Sequence, residues 1–130
     1  MSNLLTKEQI IATIPNLKRE TVEIEEWGGS VLVRELAGAE RDDIELRFYK
    51  GQKTGDFRGV RVKVILLACI KEDGSPLFDE KKDSSILDNL SAKALDKLFL
   101  KIASLSGLNP DNEQEGNAYG KNLPEKTGLE

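Results

Sequence analysis

TVEIEEWGGSVLVREL occupies residues 21–36 and alternates apolar with polar side chains on both sides of a glycine pair. Period two marks a strand with one buried face, and Gly28-Gly29 supplies a tight turn, so the stretch is predicted as a β-hairpin. A two-residue turn centred on the glycines pairs Glu26 with Val31, Ile24 with Val33 and Val22 with Glu35. One face then carries Val22, Ile24, Val31 and Val33. The other carries Glu23, Glu25, Trp27, Leu32, Arg34 and Leu36, with Glu23 opposite Arg34. A lone hairpin is marginal in water, so its aliphatic face must pack on helices. Trp27 and Leu32 are left on the second face, with two readings open: a local lid on the core, or a contact with a partner, where tryptophan is enriched.

Those helices are legible on either side. Residues 4–14 are predicted as a short amphipathic helix, capped by Thr6 with Gln9 three residues on, and stapled by Leu5 and Ile10. Ile10, Ile11 and Ile14 give it an apolar side that either clamps its own core or docks on a neighbouring subunit. Pro15 disfavours helix at Ile14 and so ends it. Residues 39–50, AERDDIELRFYK, place Ile44 and Phe48 four apart, with acids towards the positive end of the helix dipole. GQKTGDFRG, residues 51–59, contains three glycines and reads as a flexible loop. It lacks the glycine–lysine spacing of a phosphate-binding loop.

Residues 59–71 begin with alternating valines but continue as the unbroken ILLACI, which fits a strand or a buried helix. The helix is preferred, because no second strand run follows to pair with it, and Cys69 becomes a small core residue. EDGSP is a turn, after which Leu77 and Phe78 are expected to fold back into the core. Residues 79–90 are predicted as a short helix beginning near Ser85. The last helix is the clearest element: Ser91 caps it, and Leu95, Leu98, Phe99, Ile102 and Leu105 form one stripe. Gly107 ends it, Leu108 folds back over the last turn, and Pro110 follows.

The predicted architecture is therefore α+β and mainly helical. A short N-terminal helix and a β-hairpin pack on a small helical bundle within residues 1–108, and residues 109–130 form a flexible tail. The whole chain of 130 residues is one domain's worth, with a single moderate core.

Composition narrows function by subtraction. The net charge is −4, from 19 basic and 23 acidic residues, where a protein that neutralises phosphates would carry a basic excess. With no histidine and only Cys69 as a thiol, most zinc sites, histidine-assisted nucleophiles and an intrachain disulfide are removed. The adjacent acids Glu25-Glu26, Asp42-Asp43 and Asp79-Glu80 point apart on any regular element, so none is a carboxylate dyad by itself. The first residues carry no secretory signal, and the longest apolar run, Val64 to Ile70, is far short of the ~20 residues of a membrane helix. No enzyme, cofactor or metal signature remains, and neither a nucleic-acid nor a membrane partner is expected.

The order of phrases then becomes informative. VEIEEWGGSVLVREL, followed at once by AGAERDDIE, then a helix, then LLACIKEDGSPLF, then LSAKALDKLFLKIASLSGLN, resembles the tail assembly chaperones of long-tailed, siphovirus-type bacteriophages and prophages. The resemblance covers roughly residues 4–108. It departs at Ala37, where relatives usually carry threonine, which weakens the cap of the following helix. The resemblance implies a protein that binds the tape measure protein, keeps it soluble and helps recruit major tail protein subunits. It implies self-association into rings or spirals, residence in the host bacterial cytoplasm, and absence from the mature virion. The rivals are a virion structural protein, such as a head–tail connector or tail completion protein, and an adaptor with no phage link. The side chains expected to make protein contacts are Ile10, Ile14, Trp27, Leu32, Arg34 and Phe57.

Overall fold

Ser91 Oγ accepts the Ala94 N–H at 3.3 Å and starts helix α5 (Ala92–Leu105). In the computed structural model, which describes residues 3–57 and 59–108, this helix is the axis of the core. Leu95, Leu98 and Ile102 are buried along its stripe, and Phe99 and Leu105 are half-buried against them. Gly107 takes a left-handed φ of 73°, and the chain then closes back on itself. Gly107 N–H bonds Ser104 C=O at 3.3 Å and Leu108 N–H bonds Ala103 C=O at 2.8 Å. This pair of bonds carries Leu108 into the core. Residues 109–130, expected as a tail, lie outside the described residues.

Helix α3 (Val60–Ala68) packs on α5. Val60, Val62, Val64, Ile65, Leu66 and Ala68 are all buried, so the alternating valines belong to a helix covered on most sides. It passes directly into β3 (Cys69–Ile70), a two-residue strand that the sequence reading did not include. β3 pairs with β2 (Gly29–Arg34), which pairs with β1 (Arg19–Ile24), giving an antiparallel sheet in the order β1-β2-β3. The fold class is α+β, mainly helical, as expected.

The hairpin forms with a different register. Val22 pairs with Val31, Glu20 with Val33 and Ile24 with Gly29. Glu23 faces Ser30 rather than Arg34, which faces Arg19. The connection is a 3-10 turn, Glu25–Trp27, closed by Gly28 at φ 69°, and Gly29 already belongs to β2. The register shift is even, so Val22, Ile24, Val31 and Val33 still share the face that meets the helices. Trp27 leaves the second face and packs on the core, because the turn folds it back over that apolar side.

Helix α2 (Gly38–Thr54) starts at Ala37. Ala37 offers no side-chain acceptor, but the Glu40 carboxylate reaches back to its N–H at 2.8 Å, so half of a capping box survives. The helix runs through Gly51 and ends at Gly55 (φ 79°), so GQKT is helical and not part of a loop. Gly51 is required by a close approach. A Cβ there would lie 2.5 Å from Phe57 Cδ1 and 3.1 Å from the Asp56 carbonyl oxygen. Gly51→Ala gains about 1 kcal/mol of helix propensity, but overpacking costs of 1–3 kcal/mol exceed it, giving a net loss of about 1 kcal/mol. A denaturant titration in which Gly51→Ala is the more stable protein would contradict this contact.

Helix α4 (Ser84–Asp88) buries Leu87. Its cap position is Asp83, so Ser85 lies inside the helix, and Ile86 is exposed. Phe78 packs on the core as expected. Leu77 is exposed instead, because its backbone is held by the bond from its N–H to Cys69 C=O and its side chain points outward.

Candidate interaction surfaces

The N-terminal helix α1 (Lys7–Ile11) has the predicted capping box: Gln9 N–H donates to Thr6 Oγ1 at 3.1 Å, and Thr6 N–H donates to Gln9 Oε1 at 2.8 Å. It is shorter than expected, stopping four residues before Pro15, which falls inside a separate 3-10 turn, Ile14–Asn16. None of its residues is buried. Leu4 is 85% exposed, Ile10 53% and Ile14 66%, with Leu5 and Ile11 alongside. The helix therefore does not clamp its own core, and Leu5 and Ile10 are both too exposed to staple it. A pre-capped helix bearing unburied aliphatic side chains is an arm. At its base, Ile14 and Leu17 share a notch of about 240 Å³ with Arg34 and Ile70.

A second surface opens at the far end of α3. A cleft of about 990 Å³ is lined by Phe48 from α2, Phe57 and Gly59 from the connection, Val60, Arg61 and Val62 from α3, Phe99 from α5, and Asp56, Asp88 and Asp96. The rings are arranged in tilted pairs, Phe48 lying 6.3 Å from both Phe57 and Phe99. Such pairs are worth about 0.5–1.5 kcal/mol beyond their burial. Phe57 remains 46% exposed, so this ring both rests on Gly51 and faces outward. Arg61 pairs with Asp96 across the mouth.

The six side chains singled out in the sequence do not form one site. Ile10 and Ile14 lie on the arm, Phe57 lines the cleft, and Trp27 is half-buried on the core. Leu32 and Arg34 sit on the outer face of the sheet, where Leu32 pairs with Ile70 of β3. Arg34 has internal partners. It donates to both Glu40 oxygens at 2.8 and 2.9 Å, to Glu35 C=O at 2.8 Å and to Leu67 C=O at 2.9 Å. Burial alone would raise the Glu40 pKa, but the Arg34 bonds and then the Ala37 N–H outweigh it, and the carboxyl lies below its ordinary range. The sequence reading did not single out Leu46, Tyr49, Ile86 and Leu100, which are exposed as well. Leu100 sits outside the α5 stripe, and that offset was its visible signal.

Cys69 is fully buried, and burial pushes its thiol up to about 12. A nucleophilic cysteine needs the opposite shift. The thiol is expected to stay unmodified by a disulfide reagent at pH 8 in the folded protein and to react fully in denaturant. Rapid native labelling would place Cys69 outside the core. Among the described residues, no group of three or more His, Cys, Asp or Glu could hold a metal ion, and no helix is long and apolar enough to cross a membrane.

Comparison with known proteins bears on this geometry. No protein-family model and no curated protein matches the chain. A solved structure described as "Structure of bacteriophage HK97 tail assembly chaperone" is similar to it, with a TM-score of 0.54 and 20% identity. The match covers 76% of this chain and 90% of that chain. The two share a fold. At this identity the likeness concerns architecture, and it extends over most of the chaperone's length.

Proposed function

We propose that this chain is a tail assembly chaperone of a long-tailed bacteriophage or prophage. In this reading it binds the tape measure protein, keeps it soluble and helps recruit major tail protein subunits around it. It acts in the host cytoplasm, is left out of the finished virion, and self-associates into rings or spirals. The observation that carries the reading is the fold shared over nine-tenths of the HK97 chaperone. The exposed aliphatic arm supports it, since holding a long apolar client calls for uncovered apolar surface rather than a reactive group. Repeated weak contacts along an elongated client add by avidity, so each subunit need bind only loosely.

The main rival is a virion structural protein such as a head–tail connector or tail completion protein. Quantitative mass spectrometry on infected-cell lysate and on purified virions separates the two. The chaperone reading expects the chain in lysate and its absence from virions. Recovery at a fixed copy number per particle would establish the rival.

A further inference from the structure

We propose that the cleft is an intramolecular docking site for the chain's own C-terminal segment, with Tyr119 seated against Phe48, Phe57 and Phe99. The proposal goes beyond the chaperone reading and does not depend on it.

The cleft specifies its occupant. Three phenylalanine rings, from α2, the connection and α5, converge on it, and Phe57 keeps 46% of its surface exposed. A further ring entering there gains aromatic contacts in addition to the apolar area it covers. At the rim, Asp96 is engaged by Arg61, whereas Asp88 makes no hydrogen bond or ion pair among the described residues. A carboxylate beside an aromatic floor fits a ring that carries a hydrogen-bond donor, which is the chemistry of tyrosine.

Residues 109–130 contain one such ring. Tyr119 is the only aromatic residue after Phe99, and its neighbours Ala118 and Gly120 are small enough to let the ring enter alone. Lys121 follows two positions on and brings a cation to the acidic rim, which fixes the direction of entry. The acids Asp111, Glu113 and Glu115 come earlier in the segment, between Leu108 and the ring.

The point of departure lies on the same side of the body. α2 and α5 run antiparallel there. One end is tied by the bond from Arg41 Nη1 to Ser106 C=O at 3.2 Å, the other by the Phe48–Phe99 pair. Arg41 to Phe48 and Phe99 to Ser106 are each about two helical turns, so the chain leaves α5 about 10 Å from the cleft. From Leu108 to Tyr119 an extended chain spans up to about 36 Å, so the cleft is well within reach. A short tether holds its end at about millimolar effective concentration, so a contact too weak to form between separate molecules forms within one. The segment then covers the cleft in each copy, and any other occupant must displace it.

Full-length chains carrying Asn117→Cys with Asn89→Cys, beside Asp88, test the contact, because the native Cys69 is buried and silent. With a short bis-maleimide, the double variant is expected to give a link within one chain, and a mixture of the two single variants none. Adding Tyr119→Ser is expected to slow that link about tenfold, the loss of one anchoring aromatic. Adding Asp88→Lys is expected to slow it about threefold, by removing the acceptor and repelling Lys121. Ser104→Cys, exposed on another side of α5, is the tethered control, and its link to residue 117 is expected to be no slower with Tyr119→Ser. An Asn89→Cys link that Tyr119→Ser leaves unchanged, or slows no more than the control, overturns the proposal. A mixture of single variants that links as fast as the double variant overturns it in favour of a segment from a second copy. None of these rates depends on whether the chain is found in virions, so this contact and the chaperone reading fail separately.

Discussion

Leu98→Ala is expected to lower the unfolding free energy by about 3–5 kcal/mol and the midpoint temperature by about 10–20 °C. Leu98 is completely buried at the centre of the α5 stripe, between Leu95 and Ile102. Helix α5 packs on α3, β1 and β2, so the missing side chain leaves a hole where three elements meet. Part of the loss is transfer of the side chain back to water, and the rest is the cavity that a close-packed core cannot collapse. Leu100, two residues along, is 52% exposed, so Leu100→Ala is expected to change stability by less than about 0.5 kcal/mol. Urea titrations of the two variants measure the contrast. Equal losses would mean that α5 presents a different face to the core.

Arg34→Ala is expected to cost about 3 kcal/mol, an effect well beyond that of an ordinary surface ion pair. The guanidinium joins three elements: it grips both Glu40 oxygens at the start of α2, the Glu35 carbonyl after β2, and the Leu67 carbonyl near the end of α3. Its removal leaves the Glu40 carboxylate with the Ala37 N–H as its remaining donor, takes a donor from the Glu35 and Leu67 carbonyls, and loosens the Glu40 that caps Ala37. The same geometry sets a pH dependence. Glu40 has its pKa lowered in the folded protein from an ordinary 4.5. Its contribution is therefore fully present above that ordinary value and is lost as pH falls through the lower folded one. Stability is expected to decline below about pH 5, and Glu40→Gln should flatten that decline. A variant that keeps the full acid slope would show that other carboxylates produce it.

Residues with strong local signals were legible in the sequence. The α5 stripe, the Ser91 cap, the Gly107–Leu108 closure and the Thr6–Gln9 capping box all appear where chain-local chemistry places them. Each depends on neighbours within a few residues. The misreadings came from longer-range competition. Two glycines suggested a two-residue turn, but burying Trp27 draws Glu25–Trp27 into a 3-10 turn and leaves only Gly28 at positive φ. Gly51 suggested a loop, yet α2 continues through it because the Phe57 ring lies over the position where a side chain would stand. Cys69–Ile70 was hidden inside an apolar run, since two strand residues add no periodicity of their own. The candidate surfaces were half legible. The isoleucines of the arm were visible as a group. The cleft was not, because it unites Phe48, Phe57 and Phe99 from three separated segments. Arg34 looked like a contact residue because sequence spacing does not reveal the Leu67 carbonyl brought beside it by the fold.

The exposed arm and the aromatic cleft leave apolar surface uncovered, which is the surface that the proposed chaperone role would use. Co-expression with a phage tape measure protein tests the proposed chaperone role directly. The predicted result is a tape measure protein that moves from the insoluble to the soluble fraction and co-purifies with the chain. The same experiment with Leu4, Leu5, Ile10, Ile11 and Ile14 changed to serine should lose most of this effect while the body stays folded, since none of these side chains lies in the core. A tape measure protein that is equally insoluble with and without the chain, and that never co-purifies with it, would contradict the account.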